Sequence, residues 1–204
     1  MLRSSDVRLI ARARRLKLLD ATTIYLGGLH MRIRDSNGFT LIELLIVVAI
    51  IGIIAAIAVP GLLRAKISGN EASAIGSIRA IVSAQADYSG VNRGGYAVDL
   101  ADLAALCTGM TVPFISPDLT INGVAKSGYV FALAAGLGGV AAPNDCNGAA
   151  TSTTFYASAT PQSLGTTGNR AFASNVAAAI WQDTSGTPPT EPFTAGGTIA
   201  PLGQ

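Results

Sequence analysis

Residues 38–60 read GFTLIELLIVVAIIGIIAAIAVP, and this stretch decides the fold. Residues 39–59 carry one charged side chain, Glu43. At ~1.5 Å per residue a helix of this length is roughly 31 Å long, about the thickness of the hydrocarbon core of a bilayer. A cleaved secretory signal has a shorter apolar region, followed by a small-residue cleavage site. Here Gly38 precedes the apolar run, which predicts that the segment is retained as a membrane-spanning helix.

The charges of the chain are unevenly distributed. Residues 1–38 hold eight of the fourteen lysines and arginines and three of the twelve acids, a net charge of +5. Residues 39–204 hold the other six cations and nine acids, a net charge of −3. Cations before an apolar helix orient its N-terminus toward the cytoplasm, so the C-terminal part is expected outside. If the chain is cut after Gly38, at the start of the apolar run, the product is mildly acidic. We therefore expect no specific nucleic-acid binding, although the uncut chain has a basic isoelectric point.

A second helical pattern follows Pro60. Apolar residues recur at steps of three and four, as in an amphipathic helix; they are Ile67, Ala74, Ile75, Ile78, Ile81 and Val82. One helix over about residues 39–90 is therefore predicted, bent or weakened at Gly52 and Pro60-Gly61. At ~1.5 Å per residue it is about 75 Å long, far longer than a globular core requires. The first half of this helix must therefore be buried by something outside the domain.

The remainder of the chain is typical of a small β-rich domain. Runs of aromatic and branched residues alternate with Gly, Asn, Ser, Thr and Pro clusters, and the candidate strands are residues 128–134, 153–159, 170–174 and 178–183. Four short strands in succession predict an antiparallel sheet laid over the apolar stripe of the helix, which gives an α+β fold. A short helix is predicted around residues 99–106. The proline-rich tail from Thr184 is predicted to be irregular.

The positions of histidine and cysteine narrow the range of catalytic and metal sites that the chain can form. The one histidine, His30, lies in the first segment, so a chain cut after Gly38 lacks the Ser-His and Cys-His pairs of hydrolases and cannot form a His-ligated zinc site. Cys107 and Cys146 match no zinc spacing; in an exported chain a disulfide is the default expectation, and two unrelated thiols are the alternative. The acids show no EF-hand spacing. We expect no catalytic residue, metal or cofactor, while ligand binding by loops stays open.

The motif Gly38-Phe39, with Glu43 four residues after the phenylalanine, carries the functional signal. A glycine before an aromatic residue, this acid and a long apolar helix preceded by basic residues resemble the class III signal of type IV prepilins and pseudopilins. The resemblance implies that a prepilin peptidase cuts between Gly38 and Phe39 and methylates the new amine of Phe39. It also implies that Glu43 pairs with the Phe39 amine of a neighbouring subunit during assembly.

Glu43 has simpler interpretations as well. An unpaired charge within a membrane helix costs at least ~2.5 kcal/mol, so the carboxylate needs water or a partner. One turn from the helix start it can lie in the headgroup region, or pair with the amine of its own chain at i,i+4 spacing. Both alternatives stand beside the intersubunit pairing.

The resemblance also implies a fold, a set of partners and a location. It implies the pilin fold and a structural subunit that leaves the inner membrane and polymerises into an extracellular pilus serving adhesion, motility or DNA uptake. In related filaments the helix between the positions of Gly52 and Pro60 loses its structure on assembly. The implied partners are further copies of the chain, prepilin peptidase, the pilus assembly platform and minor pilins. A periplasmic pseudopilin of a type II secretion system and a minor pilin are the alternatives.

The expected organisation of the chain has four parts. They are a leader at 1–38, an apolar helix at 39–60, an amphipathic helix at 61–92 and a β-rich head at 93–204. Residues 31–38 alone would make a short basic leader of the usual kind, so we expect translation to start at Met31, with residues 1–30 an artefact of start-site choice. A long leader that stays cytoplasmic until cleavage is the alternative.

Overall fold

The computed structural model describes residues 38–203, so the predicted leader before Gly38 and the expected start at Met31 lie outside the described residues. Helix α1 spans Leu41–Val91. The described residues fall into two units, residues 38–49 and residues 50–203. The described part of the first unit is an exposed entry segment, residues 38–40, and the beginning of α1. The second unit contains the later part of α1 and the β-rich head.

The head is built from short strands and one further helix. After α1 the elements are β1 (Tyr96–Ala97), α2 (Leu100–Ala104), β2 (Ala125–Lys126), β3 (Tyr129–Ala135), β4 (Ala141–Ala142), β5 (Thr151–Ser152), β6 (Phe155–Pro161), β7 (Ala171–Asn175), β8 (Trp181–Asp183) and β9 (Ile199–Pro201). Within the described residues a six-stranded sheet has the order β2-β3-β6-β7-β8-β9, and a small sheet has the order β1-β5-β4. All of the strand pairs are antiparallel, which confirms the predicted α+β class.

The core lies between α1 and one face of the larger sheet. Alternate residues of β3 are buried because successive strand side chains point to opposite faces; Tyr129 and Phe131 face the core, while Val130 between them is partly exposed. Ile78 and Ile81 of α1 are fully buried in the same hydrophobic cluster. Burying each large apolar side chain stabilises the fold by about 1.5–3 kcal/mol, so the apolar stripe of α1 is held by the sheet.

Two predictions for the C-terminal part of the head were wrong. Strand β8 begins at Trp181 rather than at residue 178, because Ala178 adopts a left-handed turn conformation with φ of 59°. The tail from Thr184 is not wholly irregular, since β9 pairs with β8 along the edge of the sheet. Pro201 is tolerated in β9 because an edge strand leaves one row of backbone donors without a partner strand. The short helix predicted at 99–106 is present as α2, and the Asp99 side chain caps its N-terminus.

An ion pair between a buried carboxylate and a partly exposed arginine ties α1 to the sheet. Glu71 of α1 is 6% exposed, and its Oε2 accepts hydrogen bonds from Arg170 Nη2 at 2.6 Å and Nε at 2.9 Å. The backbone N–H of Asn169 donates to Glu71 Oε1 at 2.9 Å, and Arg170 Nη1 donates to Gln182 at 2.7 Å. The three donors, two of them charged and directed at Oε2, offset the desolvation of the Glu71 carboxylate. Removing either partner leaves the other without its counter-charge.

We expect Arg170→Met to destabilise the head by about 3 kcal/mol, because the Glu71 carboxylate would remain buried without a cation. The measurement is urea unfolding of detergent-solubilised protein, followed through the fluorescence of Trp181, the one tryptophan of the chain. Arg79→Met is the matched control, since Arg79 is exposed on the same helix and a change there is expected to stay within about 0.5 kcal/mol. Equal effects of the two variants would contradict the stabilising role of the pair.

Candidate functional site

The peptide bond between Gly38 and Phe39 lies immediately before the helix. Residues 38–40 are non-helical and exposed, and α1 begins at Leu41. Gly38 has open space around its backbone, because a Cβ placed there would meet nothing within 4 Å. A protease must reach the backbone of a non-helical segment, and residues 38–40 form such a segment. The predicted cleavage residues are therefore accessible.

Thr40 and Glu43 form a reciprocal cap at the helix N-terminus. The backbone N–H of Glu43 donates to Thr40 Oγ1 at 3.2 Å, and Thr40 Oγ1 lies 3.4 Å from Glu43 Oε2, to which it donates. The backbone N–H of Leu44 donates to the Thr40 carbonyl at 3.2 Å, as expected when Thr40 is the N-cap residue. This is a variant of the capping box. Sequence reasoning missed the role of Thr40, although the spacing Thr-x-x-Glu before an apolar run is its known signature.

The Glu43 carboxylate has no counter-ion in the part of the chain that the structure describes. Its negative charge at the helix N-terminus is favoured by the helix dipole and by the Thr40 hydroxyl. Before cleavage the nitrogen of Phe39 is a peptide amide and carries no charge. The predicted pairing of Glu43 with a Phe39 amine can therefore exist only after the chain has been cut.

The first part of α1 presents apolar side chains to its surroundings. Every described residue from 38 to 66 is exposed, including Leu41 at 81% and Ile57 at 78%. The helix is long and apolar enough to cross a membrane, and the qualifying window is unburied. An exposed apolar surface of this extent marks a site of membrane or protein contact.

Gly52 and Pro60 both lie inside α1, which is continuous through them in the structure of the single chain. A Cβ added to Gly52 would meet no atom within 4 Å, so the glycine is not required by packing within the monomer. Proline removes one backbone donor and crowds the carbonyl four residues earlier, which weakens the helix locally. Loss of helix between these two residues on assembly stays a prediction.

The head contains a disulfide that joins two loops. Cys107 and Cys146 are bonded, with their Cα atoms 5.4 Å apart. The backbone N–H of Cys146 donates to Asn92 Oδ1 at 3.0 Å, and the hydroxyl of Tyr88 donates to Asp145 Oδ2 at 2.9 Å. Burial, followed by this hydrogen bond, raises the pKa of Tyr88 well above its usual value. The end of α1 is thus fastened to the loop that carries Cys146.

A carboxylate beside the ends of β3 and β7 holds a second group of loops together. Glu191 accepts from the Leu137 backbone N–H at 2.6 Å and from Asn175 Nδ2 at 2.5 Å. Two shallow depressions of about 340 and 330 Å³ lie beside it. Burial, and then the charge of Glu191, raise the pKa of Tyr156 to about 12, so its hydroxyl stays neutral and donates to the Pro189 carbonyl. No group of three or more metal-binding side chains occurs among residues 38–203.

The predicted site residues therefore fall into separate groups. Gly38, Phe39 and Glu43 lie together at the start of α1, while Gly52 and Pro60 follow within the same helix. The disulfide belongs to the head. Together these features define a protein with a capped apolar helix that is suited to a membrane anchor and a folded α+β head.

Comparison with known proteins identifies the N-terminal segment. Residues 33–59 match the family model described as the prokaryotic N-terminal methylation motif. Over 53 residues the chain is 45% identical to the type IV major pilin protein PilA of Myxococcus xanthus. The aligned region covers 26% of this chain and 24% of that protein. Over 73 residues it is 40% identical to the type IV wide pilus major component PilA4 of Thermus thermophilus. This aligned region covers 36% of this chain and 55% of that protein. No solved structure matches.

These matches confirm the predicted resemblance to the type IV pilins. The chain spans about a quarter and about half of the length of the two curated relatives. Both relatives are named as major pilus components, which are structural subunits and not enzymes. This agrees with the predicted non-enzymatic class.

We expect Thr40→Val to weaken the start of α1 by about 1 kcal/mol, because valine keeps the shape of threonine without its hydroxyl. The amide of Glu43, which donates to that hydroxyl, should then exchange with deuterium about fivefold faster. NMR of uncleaved protein in detergent measures this rate. Thr40→Ser keeps the hydroxyl and should exchange like wild type; an unchanged rate in the valine variant would disprove the cap.

Proposed function

We propose that this chain is the structural subunit of a type IV pilus. A prepilin peptidase cuts it after Gly38 and methylates the amine of Phe39, and the product polymerises through α1 into a helical filament. The observation that carries the proposal is the exposed apolar part of α1, most of which lies within the methylation motif that residues 33–59 match. This surface is too apolar to remain in water, and the head offers it no cover.

The filament offers the apolar segment a second environment after the membrane. Each large apolar side chain gains about 1.5–3 kcal/mol when it leaves water, whether lipid or protein surrounds it. Transfer from lipid to a bundle of identical helices therefore changes the hydrophobic free energy little. Packing and polar contacts between the helices must favour the bundle.

Cleavage supplies one such polar contact. Hydrolysis of the Gly38–Phe39 bond produces an α-amine with an ordinary pKa of about 7.7–8.0, so most of it is cationic at neutral pH. Methylation leaves this nitrogen basic. The Glu43 carboxylate, held by Thr40 before assembly, can then pair with the Phe39 amine of a neighbouring subunit. In a site of low dielectric this pairing is worth more than in water.

The route and the remaining partners follow from the same proposal. The cations before Gly38 orient the chain in the inner membrane with its head outside. Peptidase, assembly platform and minor pilins act there, and the assembled pilus is extracellular. The relatives named as major pilus components favour a bulk pilus subunit over a pseudopilin. Adhesion, motility and DNA uptake are roles that such a filament can serve.

Immunogold labelling with antibody to residues 91–204, together with mass spectrometry of sheared filaments, tests this function. Label along external fibres and a subunit that begins with N-methylated Phe39 are the expected results. Label confined to the envelope would instead indicate a pseudopilin. An uncut protein that stays in the membrane as a monomer would disprove the proposal.

We expect Glu43→Ala to leave a cleaved, membrane-resident subunit with filament yield reduced about tenfold or more, because an amine left unpaired between packed helices costs more than the ~1.4 kcal/mol that a tenfold change requires. Filament yield is measured by shearing and quantitative immunoblotting. Asp87→Ala is the matched control, since Asp87 is an exposed acid on the same helix. Normal yield from the Glu43 variant would exclude the pairing.

We expect residues 52–60 to lose their helical structure in the assembled filament, because Pro60 and Gly52 weaken the helix at both ends of this segment. A cryo-EM map of the filament should show extended density there. Pro60→Ala should restore helical density between the two residues. A continuous helix in the wild-type filament would contradict this prediction.

A further inference from the structure

Two cations mark the end of the apolar segment. Residues 44–63 are twenty consecutive uncharged residues between Glu43 and Arg64. At ~1.5 Å per residue they correspond to about 30 Å of helix, the thickness of the hydrocarbon core. Arg64 and Lys66 follow, and Ile67 is the first buried residue of α1. The two cations therefore lie between the membrane-length segment and the head.

The two side chains point to different sides of the helix. With 3.6 residues per turn, positions 64 and 66 are separated by about 200° around the axis. Both residues are exposed. A protein partner on one side of the helix can contact only one of them, whereas a bilayer surface surrounds the helix and reaches both. Long basic side chains at the ends of membrane helices extend to that surface.

Neither cation has an acidic partner in the described part of the chain, where the ion pairs are Lys126 with Asp118 and Arg170 with Glu71. Glu71 is the nearest acid along α1, and Arg170 and Asn169 already occupy its carboxylate. The first polar contacts between α1 and the head are uncharged. Asn70 donates to the Thr167 carbonyl at 2.8 Å, and Ser73 donates to Ser127 at 2.9 Å.

We propose that Arg64 and Lys66 form a basic collar that binds the phosphate groups of anionic phospholipids on the outer surface of the membrane that holds the subunit before assembly. This inference rests on the membrane-embedded stage of the proposed function. Arginine and lysine donate several hydrogen bonds to phosphate oxygens, and each cation near an anionic surface strengthens binding. The collar and Glu43 then fix the two ends of the apolar segment at the two membrane surfaces. The head is held next to the bilayer until the subunit is extracted.

The collar is tested with the mature chain in nanodiscs that contain phosphatidylglycerol and phosphatidylcholine in equal amounts. Native mass spectrometry counts the lipids that remain bound when the protein is released. Wild type should retain phosphatidylglycerol preferentially, and Arg64→Gln with Lys66→Gln should reduce this preference by about fivefold for each cation removed. Arg79→Gln is the matched control, because it removes an exposed cation of the same helix beyond the collar and should retain lipid like wild type.

Three results would overturn the proposal. They are an unchanged lipid preference in the double variant, an equal loss in the Arg79→Gln variant, and displacement of the lipid by excess inorganic phosphate, which would indicate a general anion site. Trp181 fluorescence confirms that each variant is folded. Filament yield is measured separately: a chain that retains lipid through the collar but never forms filaments would disprove the proposed pilus function and leave the collar intact.

Discussion

The structure depends on one constraint, which is that the first part of α1 is apolar, exposed and too long for the head to bury. Within the unit that contains the head, residues 50–203, the head covers α1 only from Ile67 onward. Everything before that residue needs lipid or other protein around it, because leaving such side chains in water costs about 1.5–3 kcal/mol each. The proposed alternation between membrane and filament is a direct consequence of this constraint.

The head fixes the position of the second part of α1. Apolar residues such as Ile78 and Ile81 pack on the sheet, but non-directional hydrophobic contact does not fix how a helix is rotated or shifted. Two directional contacts fix these two properties at separate positions along the helix: the ion pair of Glu71 with Arg170 and the hydrogen bond of Tyr88 with Asp145. Breaking the Glu71–Arg170 pair is costly because the Glu71 carboxylate is buried and would lose its counter-charge.

The apolar part of α1 has few charged residues at or near its ends, and each of them lies where it can be solvated or paired. Glu43 lies in the first turn, where the helix dipole and the Thr40 hydroxyl stabilise it. Arg64 and Lys66 follow the twenty uncharged residues, a spacing that matches the hydrocarbon core. In the proposed function the same acid serves membrane residence and assembly, because its partner in the second state is the amine that cleavage creates.

The sequence by itself determined the long helix, its apolar and amphipathic parts, the α+β class and the family resemblance, because these depend on local periodicity and on a contiguous motif. The strands around Phe131, Ala157 and Phe172 were also recognisable from composition, although their ends shifted by one or two residues. Only the tertiary structure decided that Glu71 meets Arg170, 99 positions away, and that β9 completes the sheet edge. Such contacts depend on how distant segments are brought together in space, which no local pattern records.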